Sequence, residues 1–362
     1  FLNNSGDADA FIQKINSSGK LAWAKSFGGS NVELGYKVKS DNSGNVYISG
    51  TFYGTIDCDP GPAVYNLTPP GTLPKSTFLL KLDESGNFVW ATNLFDYEIN
   101  NNVNYNMEVD GSGNIFFTGI FTGTIDLDPG PGSFYLTAIS GPGTNVFMMK
   151  LNHNGIFEWG RSIEPASSGS AFGRNVTVDG SGNSIFSGEY YFDTIDFDPG
   201  PGVFNMTAPY AQSYFLKLDP QGNFIWAKQI GSYPPIEDYY VTCRDIYATS
   251  DGDLFITGDF EGEGPIDFDP NAGIDTVTSS TIFSQNFVAK WDSAGNLLWK
   301  SIVNGVLNSQ MAITELNSGN VFFTGTYYSN IYLANLDSTG ALLFYDDFAN
   351  KDPYVDTDER DN

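Results

Sequence analysis

Four pairs of aspartates carry the clearest chemical potential in this chain. Asp57 and Asp59, Asp126 and Asp128, Asp196 and Asp198, and Asp267 and Asp269 each stand two residues apart and run into a proline. The first reads Asp57-Cys58-Asp59-Pro60-Gly61-Pro62, and the third Asp196-Phe197-Asp198-Pro199-Gly200-Pro201-Gly202. On an extended backbone residues i and i+2 share a face, so both carboxylates of a pair point the same way. Two hard oxygen donors with nearby loop carbonyls are the beginning of a calcium site, which takes six to eight oxygens. These eight aspartates are therefore candidate metal ligands, and Ca2+ is the candidate ion. The same atoms have a competing use: the side chains accept hydrogen bonds from the backbone of a Pro-Gly turn and hold a projecting loop, with the middle residue packed inward.

Other chemistry finds little to work with. The single histidine, His153, falls at a hairpin tip where other copies of the pattern carry Glu84 or Pro220, which is a surface position. There is no Gly-x-Ser-x-Gly elbow, no zinc-ligand cluster and no phosphate-binding loop. A carboxylate pair for glycoside hydrolysis could be drawn from 43 acidic residues, yet no pair stands out from the repeat. Against those 43 stand 17 Lys and Arg, and the net charge of −26 repels phosphate backbones, so nucleic acid is excluded as a partner. No apolar run approaches the ~18 residues of a membrane span, which argues against direct membrane insertion. Cys58 sits where the other turns have Leu127, Phe197 and Phe268, and so reads as a small buried hydrophobe. A bridge between Cys58 and Cys243 is the alternative.

The elements that must position the aspartates repeat as well. An aromatic-x-x-Lys-apolar-Asp/Asn-x-x-Gly-x-x-x-Trp pattern runs through Phe11, Lys14, Gly19 and Trp23, and again through Phe78, Lys81, Gly86 and Trp90. Further copies end at Trp159, Trp226 and Trp299, and a sixth keeps the spacing but has Asn335 for the Lys and Phe344 for the Trp. Short apolar runs flank a turn whose Gly and Asn supply left-handed conformations, so each copy is a β-hairpin. A second hairpin lies between, marked by Asp-x-Ser-Gly-Asn and an apolar run such as Val46-Tyr47-Ile48-Ser49-Gly50. No sustained 3.6-residue periodicity appears, so almost no helix is expected.

Two hairpins in a unit of roughly 70 residues give four strands per unit, which is a propeller blade. The expected fold is all-β: a β-propeller of four-stranded blades, about six in number, with five to seven allowed by six copies of one hairpin and five of the other. Trp23, Trp90, Trp159, Trp226, Trp299 and Phe344 are expected to form the core between blades. One propeller domain is expected over residues 1–345, with an acidic tail or linker over 346–362. The chain is expected to open in mid-unit. Where the repeat is broken by an inserted loop, Tyr233, Tyr239 and Tyr240 are candidate partner contacts, because propellers bind through loops.

The Asp/Asn-x-x-Gly-Asn-x-x-Trp hairpin alternating with Asp-x-Ser-Gly-Asn-Val-Tyr-Ile-Ser-Gly resembles the SBBP-type β-propeller repeat of secreted bacterial proteins. The Asp-Phe-Asp-Pro-Gly-Pro-Gly turn is similar to versions in large surface proteins of Bacteroidota. The resemblance covers about residues 7–345. It implies export, commonly by type IX secretion, and an extracellular or outer-surface location, and it brings no catalytic residues. The expected function is that of a non-catalytic binding or structural module of a bacterial cell-surface assembly or adhesin, with a protein or glycan partner. The alternative is a secreted enzyme acting on polysaccharide with its site at the propeller face.

Overall fold

The computed structural model describes residues 6–70, 74–96, 105–138, 143–165, 169–232, 240–262, 264–271, 273–278, 285–303, 311–316, 319–327 and 330–347. Every regular element among them is a β-strand. The chain opens with a hairpin, β1 (Ala10–Ile15) and β2 (Leu21–Gly29). A first blade follows: β3 (Glu33–Ser40), β4 (Val46–Tyr53), a small ribbon of β5 (Ile56–Asp57) and β6 (Asn66–Leu67), then β7 (Lys75–Leu82) and β8 (Phe88–Asp96). The next has β9 (Tyr105–Val109), β10 (Ile115–Phe121), the ribbon β11 (Thr124–Asp126) and β12 (Tyr135–Thr137), β13 (Asn145–Leu151) and β14 (Phe157–Ile163).

The third blade contains β15 (Ser170–Val178), β16 (Ser184–Tyr191), the ribbon β17 (Asp193–Asp196) and β18 (Asn205–Ala208), β19 (Gln212–Leu218) and β20 (Phe224–Ser232). The fourth contains β21 (Tyr240–Ala248), β22 (Leu254–Glu261), the ribbon β23 (Pro265–Asp267) and β24 (Thr276–Thr278), β25 (Gln285–Trp291) and β26 (Leu297–Val303). The last has no ribbon: β27 (Ala312–Glu315), β28 (Val321–Tyr327), β29 (Asn330–Leu336) and β30 (Leu342–Asp347). Leaving the ribbons aside, the described residues thus hold five four-stranded sheets with strands in chain order, such as β3-β4-β7-β8, plus the hairpin β1–β2.

Local sequence explains the hairpins. In the turn between β7 and β8 the Asp83 carboxylate accepts the N–H groups of Ser85 at 2.9 Å and Asn87 at 2.8 Å, and the Asn87 amide donates back to it. The turn closes through Gly86, whose φ of 79° is open to glycine without the Cβ clash other residues meet. The same bonds recur around Asp41, Asp110, Asp219 and Asp292.

The middle strands are apolar on both faces because each face meets a neighbour. Ile48, Phe78 and Leu80 pack with Phe27 of the opening hairpin, whereas Tyr47 and Leu79 point the other way and pack with Met107 and Phe117 of the next blade. This is why β4 and β7 read as continuous apolar runs rather than alternating ones.

By compactness the chain divides into two units, Phe1–Val178 with Gly182–Ala208 and Phe215–Ala227, and Asp179–Ser181 with Pro209–Tyr214 and Lys228–Asn362. Within the first, β9 lies against β3 and β15; within the second, β21 lies against β27. The ribbons do something that their place in the sequence does not suggest. β5 pairs with β2, the outer strand of the preceding hairpin, through Gly28↔Asp57 and Gly29↔Ile56. β23 pairs likewise with β20 through Gly231↔Asp267 and Ser232↔Ile266. Each of these ribbons laces its own blade to the edge of the one before.

Several expectations need adjustment. Phe344 is 46% exposed and not part of a core between blades. Cys58 and Cys243 are both buried and neither is in a disulfide, so the bridge is not formed. β30 runs to Asp347, two residues beyond the boundary expected at 345. Residues 348–362, Tyr233 and Tyr239 lie outside the described residues.

Candidate functional site

The Asp-x-Asp-Pro pairs are turn-builders in this geometry. Asp57 Oδ1 accepts the N–H of Asp59 at 3.1 Å and that of Tyr65 at 2.9 Å, tying the two ends of the loop together. Asp126 does the same for Asp128 and Phe134, Asp196 for Asp198 and Phe204, and Asp267 for Asp269 and Asp275. The second aspartate accepts one further N–H, from Gly61, Gly130, Gly200 or Asn271. The residue between them, Cys58, Leu127, Phe197 or Phe268, is fully buried. An aromatic residue after the turn seals three of the four against the sheet: Tyr65 on Phe88, Phe134 on Phe157, and Phe204 on Phe224, with ring centroids 4.7–5.1 Å apart. One oxygen of every carboxylate is thereby committed to backbone. Among the described residues no three or more His, Cys, Asp or Glu side chains are grouped to hold a metal ion.

The repeated Lys and Trp have a joint role that spacing alone did not reveal. Lys14 and Trp23 are cross-strand partners, and both donate to the carbonyl of Glu84 in the turn of the next blade, at 3.2 and 3.1 Å. Lys81 and Trp90 converge on the carbonyl of His153, and Lys150 and Trp159 on that of Pro220. Trp299 reaches the carbonyl of Ser338. The turn glycine must be small as well as left-handed, since a β-carbon on Gly155 would lie 3.1 Å from the Trp90 indole and one on Gly222 2.8 Å from Trp159. These tryptophans therefore do sit between blades, mostly half-buried, with Trp159 fully so. Phe344 has no indole N–H, and no further turn packs on it among the described residues. His153 serves through its backbone oxygen while its ring stays exposed.

What breaks the repeat lies elsewhere. Four residues past Gly50, Gly119 and Gly258 stand Gly54, Gly123 and Gly262, all with positive φ. Four past Gly188 stands Phe192, with a φ of 61°. It is the one non-glycine residue with positive φ among those described, and its ring is 62% exposed. A bulky side chain in that conformation costs about 1–2 kcal/mol. Phe192 meets Tyr191 edge-on with centroids 5.5 Å apart, and Tyr191 stacks on Phe172 at 5.7 Å. The Arg174 guanidinium lies 5.4 Å from the Phe172 ring centroid and binds Glu189 at 2.8 Å. Burial pushes the Tyr191 hydroxyl up, with Glu189 adding to the shift and Arg174 opposing it. Arg244 and Asp259 form the equivalent ion pair in the following blade. Tyr240, the first residue of β21, is exposed and pairs across the sheet with Glu261. Sequence reading missed Phe192; the signal was a phenylalanine at a spacing where the other units place glycine.

Successive four-stranded antiparallel blades with a shared motif in every unit define a β-propeller protein. In keeping with that, the chain is 23% identical over 342 residues to an uncharacterized WD repeat-containing protein of Acanthamoeba polyphaga mimivirus. The match covers 81% of this chain, which spans 24% of that protein's length. No family model matches the chain.

Proposed function

We propose that this chain is a non-catalytic β-propeller whose task is to bind a protein partner, as a module of an extracellular bacterial cell-surface assembly. The observation that carries the reading is Phe192. The repeated polar groups, the Asp, Lys and Trp of each unit, are used to build turns and join blades, which leaves them structural. Phe192 instead occupies a glycine position, holds a strained backbone and presents an apolar ring beside Tyr191, Phe172 and the Arg174–Glu189 pair. Strain kept at an exposed aromatic is characteristic of binding surfaces, where aromatic residues and Arg dominate the energetics. The strongly acidic composition and the likeness of the hairpins to SBBP-type repeats support export, and with it a single propeller domain followed by an acidic tail.

The test is Phe192→Gly, combined with photo-crosslinking in the producing cell. A photoreactive residue at 192 should trap one discrete partner that the same residue at exposed Ile156 does not, and untagged Phe192→Gly protein should compete poorly for that partner. The same substitution should leave melting temperature unchanged or higher, because glycine relieves the backbone. A loss of more than about 2 kcal/mol of stability on Phe192→Gly would make the ring a packing element and sink the reading.

A further inference from the structure

The third blade differs from the first at one corner of its sheet. In the first, Tyr53 stands three residues past Gly50 and pairs across the sheet with Lys75, whose ammonium lies 5.7 Å from the centre of the Tyr53 ring. In the third, Tyr191 stands three residues past Gly188, and Phe192 follows it in the place of Gly54. Lys75 precedes the motif aromatic Phe78 by three residues, and counting back three from Tyr214 gives Ala211. The third unit thus keeps the ring, adds a second one, and has alanine where the first unit has the lysine that sits on the ring.

A ring and a cation attract because the ring face carries negative charge density. The pairing is common in this fold: Lys81 lies 4.8 Å from the Tyr47 centroid and Lys290 5.0 Å from that of Phe255. At the corner the Tyr191 and Phe192 rings stand nearly perpendicular, at 79°, and Phe192 is the exposed wall. Glu189 lies on the Tyr191 side and Asp193 follows Phe192 in the chain. The Arg174 charge is met by Glu189 at 2.8 Å. The whole chain has the same bias, with 43 Asp and Glu against 17 Lys and Arg. Many of those bases are used internally: Lys39 on Glu108, Lys150 on Glu158, Arg244 on Asp259, and Lys14 on a turn carbonyl. The excess carboxylates therefore set the field that an approaching molecule meets.

We infer that the Tyr191–Phe192 corner receives a lysine or arginine side chain from a basic segment of the partner polypeptide. The incoming cation does at this corner what Lys75 does over Tyr53. The net charge of −26 steers the segment in, and the rings and the adjoining Asp193 hold its charged end. Arginine suits the corner best, because its planar guanidinium stacks on an aromatic face. An acidic or purely apolar segment lacks the charge that this surface selects.

This inference deepens the protein-binding reading of Phe192 and rests on it. The experiment uses the intact chain with labelled oligoarginine, oligolysine and oligoglutamate peptides. Affinity is read by fluorescence anisotropy for wild type and Phe192→Leu, which keeps an apolar side chain but has no ring face. A photoreactive residue at 192 or at exposed Ile156 reads where the peptide lies. The basic peptides should bind, label position 192 in preference to 156, and weaken as salt is raised. Their affinity should fall about three- to fivefold in Phe192→Leu, and oligoglutamate should not bind. Equal labelling at both positions, unchanged affinity in Phe192→Leu, or binding of oligoglutamate overturns the inference. The partner trapped in the producing cell separates the two readings. If Phe192→Gly loses it and Phe192→Leu keeps it in full, the ring is an apolar contact: the protein-binding reading stands and this one falls. If Phe192→Gly also keeps it, both fall.

Discussion

Lys81 and Trp90 face each other across the β7–β8 pair and donate to one and the same oxygen, the backbone carbonyl of His153, at 3.1 and 3.3 Å. The carbonyl belongs to the turn of the following blade, so two residues nine apart in sequence join units that the chain separates by a whole repeat. The arrangement recurs at Glu84 and Pro220. It explains why Lys and Trp disappear together in the sixth hairpin, where Asn335 and Phe344 are the cross-strand partners.

Because the two donors share an acceptor, their removal should not be additive. Trp90→Phe and Lys81→Met are each expected to cost about 1 kcal/mol, since the carbonyl keeps one partner. The double variant leaves it unpaired and should lose more than the sum of the singles, by about 1 kcal/mol or more. A double-mutant cycle by urea unfolding measures this. Strict additivity would mean that the carbonyl finds water instead.

The Asp-x-Asp-Pro turns separate a structural from a metal-binding role by chemistry. Asn keeps an acceptor oxygen where Ala has none. If Asp126 serves only the N–H groups of Asp128 and Phe134, Asp126→Asn should remain close to wild type and Asp126→Ala should lose about 1–2 kcal/mol. Calcium should then leave the melting temperature of all three proteins unmoved. A calcium-dependent rise in wild type that Asp126→Asn abolishes would instead establish the metal role.

Two kinds of carboxylate should act oppositely with pH. Glu33 is held above the usual carboxylate range chiefly by burial, with the Gly29 N–H pulling down and Asp9 pushing up. A raised acid favours the fold while protonated, so its contribution is present below about pH 4 and is lost as pH rises through the folded value. Glu33→Gln should therefore stabilise the protein near neutrality. Asp83 is held below the usual range, mainly by the Asn87 N–H and side-chain amide. Its contribution is present above about pH 4 and is lost as pH falls through the depressed value. Unfolding midpoints of Glu33→Gln and Asp83→Asn from pH 3 to pH 8 should approach wild type at the acid end and depart from it toward neutrality in opposite directions, Glu33→Gln above and Asp83→Asn below.

The two thiols should be silent in the folded protein. Burial pushes the Cys58 thiol up to about 12, with Asp57 and Glu33 adding to it, and Cys243 is buried too. Both should react with a disulfide reagent only after denaturation. Cys58→Leu should fold, since Leu127 fills the corresponding place in the next ribbon. Rapid native labelling at pH 8 would contradict this account.

Much of the architecture was legible because it is written several times. Turn residues at fixed offsets, with glycine where φ must be positive, act locally, so six hairpins and their pairing could be read from Asp83, Gly86 and their counterparts without knowing what surrounds them. The inward residue of the Asp-x-Asp turn was also readable, because position i+1 of an extended pair must face opposite to its neighbours. Phe344 was misjudged for the converse reason. Its spacing matches Trp299, but burial is set by what lies against a residue, and among the described residues no turn covers it.

By itself, then, the sequence determined the strand count of each unit, the all-β class and the turn chemistry, because those depend on backbone preferences within a few residues. The tertiary structure alone decided which atoms meet across a repeat: that Lys81 and Trp90 share the His153 carbonyl, that β5 pairs with β2 of the preceding hairpin as well as with β6, and that Phe11 is exposed where Phe78 is buried. Such contacts join residues about 30 to 70 positions apart, and their geometry follows from how neighbouring sheets twist and stack, which no local pattern encodes.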